Sequence, residues 1–356
     1  MKLKNLLFVV CPAVFVLSAS MAQAAGAEQS SAVQSVNTQA TDFKPLLKNG
    51  KNCFSGPFQS HESFLGMLLT RNQHKPQVQA ATQANFPKAE FTQYQQQLHC
   101  EQFIYDVAGV KVMGYLIQPK TAAAQSLPVL VYNRGGNGHT GQLIFGGAVL
   151  KQLMPLAAQG YVVFASNYRG DHNPMQLPPE QTGKDEFGGA DVADVLAFKT
   201  MLQQVPAANP EQVVMMGHSR GGMQTWLAAR QWPELDALVI IAGVTDLAAE
   251  LQYRPDMENV FNARIPGYAK HKTAALQQRS VSHFLPQIRA DLPVMIVHGD
   301  QDKQVDVGNA HQIARLLSER KQPHQLVIVP GGDHSLRQQM SALRVQMDQF
   351  IRARLH

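Results

Sequence analysis

The pentapeptide Gly217-His218-Ser219-Arg220-Gly221 constrains this chain more than any other stretch. An apolar, β-rich run, Val213-Val214-Met215-Met216, precedes it. Met223, Trp226, Leu227 and Ala228 follow at helical spacing. A strand that turns into a helix within so few residues leaves its central residue in a strained backbone conformation, with the side chain pushed outward. Glycine is needed at 217 and 221, where a side chain would meet the neighbouring strand or helix. Ser219 is therefore a candidate nucleophile. The plainer alternative is a capping serine in a Gly-rich turn, and it loses ground because suitable partners follow in order downstream.

A serine hydroxyl is a weak nucleophile at neutral pH and needs a base beside it. Leu292-Pro293-Val294-Met295-Ile296-Val297 reads as a buried strand and leads into His298-Gly299-Asp300-Gln301-Asp302. Gln325-Leu326-Val327-Ile328-Val329 reads as another and leads into Pro330-Gly331-Gly332-Asp333-His334. Serine, acid and histidine thus follow in chain order, each on a loop after a strand. His334 is the candidate general base and acid. Asp300 and Asp302 both stand as candidates for the carboxylate that orients it. Asp333 would have to fold back to reach its neighbour. His298, at the end of a buried strand, reads as a packed, hydrogen-bonded core residue. No His or Cys cluster has metal-ligand spacing, so neither a metal nor a cofactor is expected.

Acyl chemistry at a serine also needs donors for an oxyanion. One candidate is the backbone N–H of Arg220, directly after the serine. Another lies in the loop Asn133-Arg134-Gly135-Gly136-Asn137-Gly138, which follows the strand Val129-Leu130-Val131-Tyr132. Gly135 or Gly136 is the expected donor, since glycine lets a backbone approach a substrate closely. The loop lacks both G-x-G-x-x-G and G-K-[ST], which argues against a phosphate site.

From Pro128 onward strands alternate with helices, so the expected fold class is α/β, with a mainly parallel twisted sheet covered by helices on both faces. Phe103-Ile104-Tyr105 and Val110 to Ile117 read as an antiparallel hairpin, and Glu62–Arg71 as a helix within a polar, Gln-rich stretch. Two segments interrupt the alternation. Residues 171–187 form a loop with Pro174, Pro178 and Pro179. Residues 245–284 are expected to form a small helical cap. Arg169 is expected to pair with Asp191 or Asp194.

At the N-terminus, Lys2 and Lys4 precede an apolar run, and Ala22-Gln23-Ala24 has the pattern of a cleavage site. Residues 1–24 therefore read as a signal peptide and residues 25–99 as an N-terminal extension, placing the mature chain in the periplasm or outside the cell. No stable membrane insertion is expected after cleavage. In such a compartment Cys53 and Cys100 are candidates for a disulfide. The formal charge of +5 falls by two with the signal lysines, and no basic cluster argues for nucleic acid.

The ordered segments resemble an α/β-hydrolase and, more narrowly, the catalytic domain of the prolyl oligopeptidase family. The strand ending Asn167-Tyr168-Arg169-Gly170 is similar to one in that family, as is Gly189-Ala190-Asp191-Val192-Ala193-Asp194-Val195. Arg279-Ser280, His298-Gly299-x-x-Asp302-x-x-Val305 and Gly331-Gly332-Asp333-His334 continue the likeness, which spans residues 100–356. The resemblance gives the acid role to Asp302 over Asp300. It implies a serine hydrolase acting on an ester or a peptide bond, with a small-molecule or short-peptide substrate. The alternatives are a carboxylic-ester hydrolase without peptidase activity and a non-catalytic binding protein of the same fold. Two departures stand out. The family's β-propeller, which screens substrates by size, does not fit into the residues before 100, and Arg134 stands where relatives often have Tyr or His.

Overall fold

The computed structural model describes residues 50–170 and 177–355. The expected signal peptide, residues 25–49 of the expected extension and residues 171–176 lie outside them. In chain order the strands are β1 (Lys51–Asn52), β2 (Leu98–Val107), β3 (Val110–Pro119), β4 (Leu127–Asn133), β5 (Val162–Ser166), β6 (Ala208–His218), β7 (Ala237–Ile241), β8 (Val294–Gly299) and β9 (His324–Val329). They form one sheet ordered β1-β2-β3-β5-β4-β6-β7-β8-β9. Pairing is antiparallel from β1 through β3 to β5 and parallel from there on. This is an α/β-hydrolase fold.

The apolar runs of the sequence explain this sheet. Every residue of β5, β7 and β8 is buried, as strands covered on both faces must be. Side chains alternate between two cores. Along β4, Val129 and Val131 enter the one that holds Phe164, Phe198, Trp226 and Trp232. Leu130 and Tyr132 enter the other, with Phe64, Phe145, Tyr161 and Phe350.

The strand order also fixes where a ligand can bind. The chain passes from β4 to β5 on one side, then returns to β6 on the other side of β4. Loops leaving the carboxyl ends of β4 and β6 therefore diverge and leave a crevice. Gly135, Gly136 and Ser219 all follow those two strand ends.

The described part of the N-terminal extension, from residue 50 on, holds more helix than its composition suggests. The expected helix is present as His61–Arg71, with the Ser60 hydroxyl accepting from the Ser63 amide at 3.1 Å. Two more helices, Pro76–Asn85 and Lys88–Gln97, occupy the Gln-rich stretch. The first has no buried residue and the second only Phe91 and Tyr94, so neither leaves a clear apolar stripe in the sequence. Aromatic edges hold the extension down: Phe54 and Phe58 pack on Phe145 with ring centroids 5.1 and 4.8 Å apart. β2 begins at Leu98, so the extension and the sheet share a continuous element across the expected boundary at residue 100.

Cys53 and Cys100 sit side by side, with their sulfurs joined and Cα atoms 5.4 Å apart. The Cys53 amide donates to the Cys100 carbonyl at 3.0 Å. The link spans 47 positions, a loop for which chain entropy suggests about 4 kcal/mol of stabilisation. Reduction of the mature protein is therefore expected to lower its urea midpoint by a corresponding amount. Equal midpoints with and without reductant would show that the link contributes nothing to stability.

Candidate active site

β6 ends at His218, and the helix Arg220–Ala229 begins two residues later with every residue buried. Ser219 makes the turn with φ 58° and ψ −127°, a conformation that costs a non-glycine residue free energy. The surroundings hold it there. Its amide donates to the Ile241 carbonyl on β7 at 2.8 Å, and its carbonyl accepts from the Gly222 amide at 2.8 Å. The flanking glycines are sterically required. A Cβ at Gly217 would lie 2.0 Å from the Gly221 carbonyl oxygen, and one at Gly221 would lie 2.0 Å from that of Asn133.

His334 and Asp302 meet on the far side of the crevice. His334 Nδ1 lies 2.7 Å from Asp302 Oδ2. The other carboxylate oxygen accepts the amides of Gln304 and Val305 at 2.7 and 3.0 Å. His298 is fully buried, and its Nε2 lies 3.2 Å from Asp302 Oδ2 and 3.1 Å from the Val305 carbonyl. Burial opposes ionisation of Asp302. Hydrogen bonds from His298, His334 and the Val305 amide outweigh it and hold the carboxyl well below the usual range. Asp300 instead accepts the Gly331 amide at 2.8 Å and ties the two loops together. Asp333 accepts from Ser335 and Leu336 within its own turn.

His218 was missed by sequence reasoning, although it stands directly before the serine. Its ring lies 4.8 Å from that of His334, and its Nε2 lies 2.8 Å from the His334 carbonyl oxygen. Burial pushes the His218 imidazole down to about 4. It is thus a neutral prop for the histidine loop near neutral pH.

The Arg220 side chain organises the opposite wall. Its guanidinium binds Asp185 at 2.6 and 2.7 Å, Asp191 at 2.7 Å and the Gly136 carbonyl at 3.1 Å. It also lies over the Phe187 and Tyr168 rings. Although burial opposes its charge, the two aspartates raise the Arg220 pKa. Asp185 is held down at about 2: burial opposes this, but Arg220 and the amides of Gly138 and Phe187 overcome it.

Arg134 braces the glycine loop from below, donating to the carbonyls of Asn167, Gly135 and Thr140. Three successive carbonyls are held in this way: Arg134 by the Tyr168 hydroxyl, Gly135 by Arg134 and Gly136 by Arg220. In a trans peptide the N–H points opposite to the C=O. Among the described residues the amides of Gly135 and Gly136 meet no acceptor. A Cβ at Gly135 would lie 3.0 Å from Ser219 Cβ, so this residue sits beside the serine. The Arg220 amide, at the first position of its helix, likewise has no intrahelical partner.

The sequence segments around Tyr168 and Asp191 now have structural reasons. Tyr168 adopts φ 58° with its ring against both Arg134 and Arg220. Arg169 pairs with Asp194 at 2.7 Å, while Asp191 serves Arg220. Arg279 donates to the Phe187 and Glu186 carbonyls and fastens the insert to that turn.

Ser219, His334, Gly135 and Gly136 all line one cleft of about 400 Å3. The segment 245–284 is helical and supplies Glu250, Arg254, Met257 and Phe261 to the same cleft. Tyr253 ties it to the acid loop by donating to the Asp302 carbonyl at 2.8 Å. Glu250 is 2% exposed and accepts from Asn309 Nδ2 at 3.3 Å. Burial pushes its carboxyl up to about 7.

Residues 149–353, more than half of the chain, match the prolyl oligopeptidase family. The chain belongs to this family. An uncharacterized peptidase of Bacillus subtilis, YtmA, is 27% identical over 237 residues, covering 66% of this chain and 86% of its own. Dipeptidyl-peptidase 5 of Porphyromonas gingivalis is 27% identical over 233 residues, covering 64% of this chain but only 33% of its own. The acylaminoacyl peptidase of Pyrococcus horikoshii superposes with a TM-score of 0.61 at 18% identity, covering 74% of this chain and 43% of that one. The chain thus spans less than half of its longer family members, and no propeller is present among the described residues. Family membership makes it a serine hydrolase.

Replacing Arg220 with Met would leave Asp185 and Asp191 buried without their shared cation, at a cost of about 3–5 kcal/mol. Part of that loss should depend on pH. Asp185 has a folded pKa below its ordinary 3.8, so its contribution is present above that value and is lost as pH falls toward about 2. Urea unfolding should therefore show a larger deficit for Arg220→Met near pH 7 than near pH 3. An equal deficit at both would assign the loss to packing instead of charge.

Proposed function

We propose that this protein hydrolyses ester or peptide acyl bonds with Ser219 as nucleophile, His334 as general base and acid, and Asp302 as the orienting carboxylate. The observation that carries this reading is the 2.7 Å contact of His334 Nδ1 with Asp302, beside a serine held in a strained turn in the same cleft. With Nδ1–H committed to Asp302, the Nε2 lone pair is left for the Ser219 hydroxyl proton. Ser219 Oγ then bonds to the carbonyl carbon, and the π electrons move onto the oxygen. The amides of Arg220 and of Gly135 or Gly136 stabilise that oxyanion. As the C–N or C–O bond breaks, the departing group takes the proton from His334. Water then repeats the sequence on the acyl-enzyme, giving up its proton to His334 and releasing the acid and a free Ser219.

The depressed Asp302 pKa supports this assignment, since a carboxylate that stays ionised favours the imidazolium formed in each step. Peptidase activity on small substrates fits the family and the naming of YtmA as a peptidase. Hydrolysis of carboxylic esters alone is the second reading. It is favoured by the cleft, where Glu250 is buried against Asn309 and, among the described residues that line it, no second carboxylate joins it to clamp a peptide amine. Placement in the periplasm or outside the cell rests on the N-terminal sequence. Among the described residues, no helix is long and apolar enough to cross a membrane.

A fluorophosphonate probe should label the wild-type protein and fail on folded Ser219→Ala. Labelling of that variant at the wild-type rate would remove Ser219 from the reaction. Ser219→Ala and His334→Ala should each lower kcat by on the order of 10^4–10^6-fold, with little further loss in the double variant. Asp302→Asn should lower it by on the order of 10^4-fold. Asp300→Asn, whose carboxylate contacts Gly331 and not His334, should lose less than about tenfold. A reversed order of the two aspartate variants would transfer the orienting role to Asp300. Hydrolysis of p-nitrophenyl esters alongside aminoacyl and dipeptidyl anilides then separates the two substrate readings.

A further inference from the structure

A second cavity, of about 540 Å3, adjoins the active-site cleft. The two share Tyr132, Ala148, Gln152 and His218 as a common wall. The body of this cavity is apolar, with Leu156, Met216, Ile241 and Met347. The N-terminal extension closes one side through Asn85, Phe86 and Glu90.

Its charged groups are unequally matched. Lys151, Arg337 and Arg344 line it as cations, against the single carboxylate of Glu90. Lys151 is already paired with Glu90 at 2.8 Å. Arg337 and Arg344 have no carboxylate within ion-pair distance among the described residues. Asp333 feels the charge of Arg337, but its hydrogen bonds go to Ser335 and Leu336. Arg337 is exposed at the rim, and Arg344 gives only its Nε to the Met340 carbonyl at 3.4 Å. An apolar cavity with two guanidiniums that lack a carboxylate partner matches a ligand with an apolar body and a carboxylate end, because the guanidinium fork pairs best with planar oxyanions.

The position relative to His334 indicates which half of a substrate would enter. A leaving group must remain within reach of the imidazole that protonates it. Ser335 and Arg337, just after His334 in the chain, line this cavity, as does His218, whose Nε2 meets the His334 carbonyl. The cap residues Glu250, Met257 and Phe261 line only the first cleft and are left for the acyl half.

We infer that this cavity is the leaving-group subsite and that it selects leaving groups ending in a carboxylate, such as the C-terminal amino acid of a peptide. The inference rests on the proposed roles of Ser219 and His334. It gives the N-terminal extension a part in substrate selection that its sequence did not suggest.

The test uses the full mature protein and two esters, 3-(4-acetoxyphenyl)propionate and its primary amide. They share the acetyl group and the phenolic leaving oxygen and differ only in the terminal charge. The wild-type protein should favour the acid by about tenfold in kcat/KM, the scale of one charge-assisted contact. The Arg337→Gln/Arg344→Gln double variant should bring the ratio close to one, mainly through KM for the acid. Each single variant should fall between, with thermal unfolding reporting whether the fold is kept. A wild-type ratio at or below one, or a ratio that survives in the double variant, would overturn the subsite. Hydrolysis of both esters by folded Ser219→Ala at the wild-type rate would instead overturn the nucleophile assignment, whatever the ratio.

Discussion

The buried charge cluster around Arg220 is the interaction on which the site geometry depends. One guanidinium, itself 2% exposed, joins the residue after the serine, the glycine loop after β4 and the turn that carries Asp185 and Asp191. Three segments far apart in sequence are thereby held in register around one point. Buried ion pairs are poor sources of net stability, because desolvation offsets much of the attraction. Their value lies in specificity: the cation is satisfied only when both aspartates and the Gly136 carbonyl are in place. The Arg220 contact holds the peptide between Gly136 and Asn137, and Arg134 holds the Gly135 carbonyl of the peptide that carries the Gly136 amide, so the charge cluster and the candidate oxyanion donors lie on adjoining peptides of one loop.

The opposite wall follows a similar logic with weaker charges. Asp302 receives two imidazoles and two amides, a surplus of donors that favours the carboxylate over the neutral acid. His298, at the end of β8, and His334, after β9, therefore converge on one acid from adjacent parallel strands. His218 adds support from β6 through the His334 backbone. Three histidines thus surround the site in different states of burial. Only His334 has both a carboxylate on one nitrogen and access to the serine cleft.

Much of this was legible in the sequence because it rests on local rules. The elbow is written in two glycines that no other residue could replace, and β4, β5, β7, β8 and the second half of β6 are written as apolar runs. The loops carrying Asp302 and His334 follow those runs directly. What was not legible depends on long-range packing. Arg220 was read only for its backbone, since nothing near it in sequence reveals that Asp185 and Asp191 wait 35 and 29 residues upstream. Helices Pro76–Asn85 and Lys88–Gln97 present too few apolar side chains to show a period. His298 was rightly read as a packed residue, but its contact with Asp302 comes from the turn of the chain and not from its spacing.

The walls of the site raise a question about selectivity in a catalytic domain whose described residues carry no propeller. Two local structures take up the position of a cover. The insert between β7 and β8 is fastened by Tyr253 and Arg254 to the acid loop, by Arg279 to the Glu186–Phe187 turn and by Thr245 to Asn309. The extension is fastened by aromatic contacts on Phe145 and by the Cys53–Cys100 link. Neither is a freely hinged lid, because each has buried anchors on the core. A cleft bounded by anchored walls discriminates by the shape and charge of what it contacts, whereas a chamber discriminates by what can enter. Selection in this chain should therefore be set by residues such as Glu250 on one side and Arg337 and Arg344 on the other, and it should change with single side chains while the serine, acid and histidine loops stay as they are.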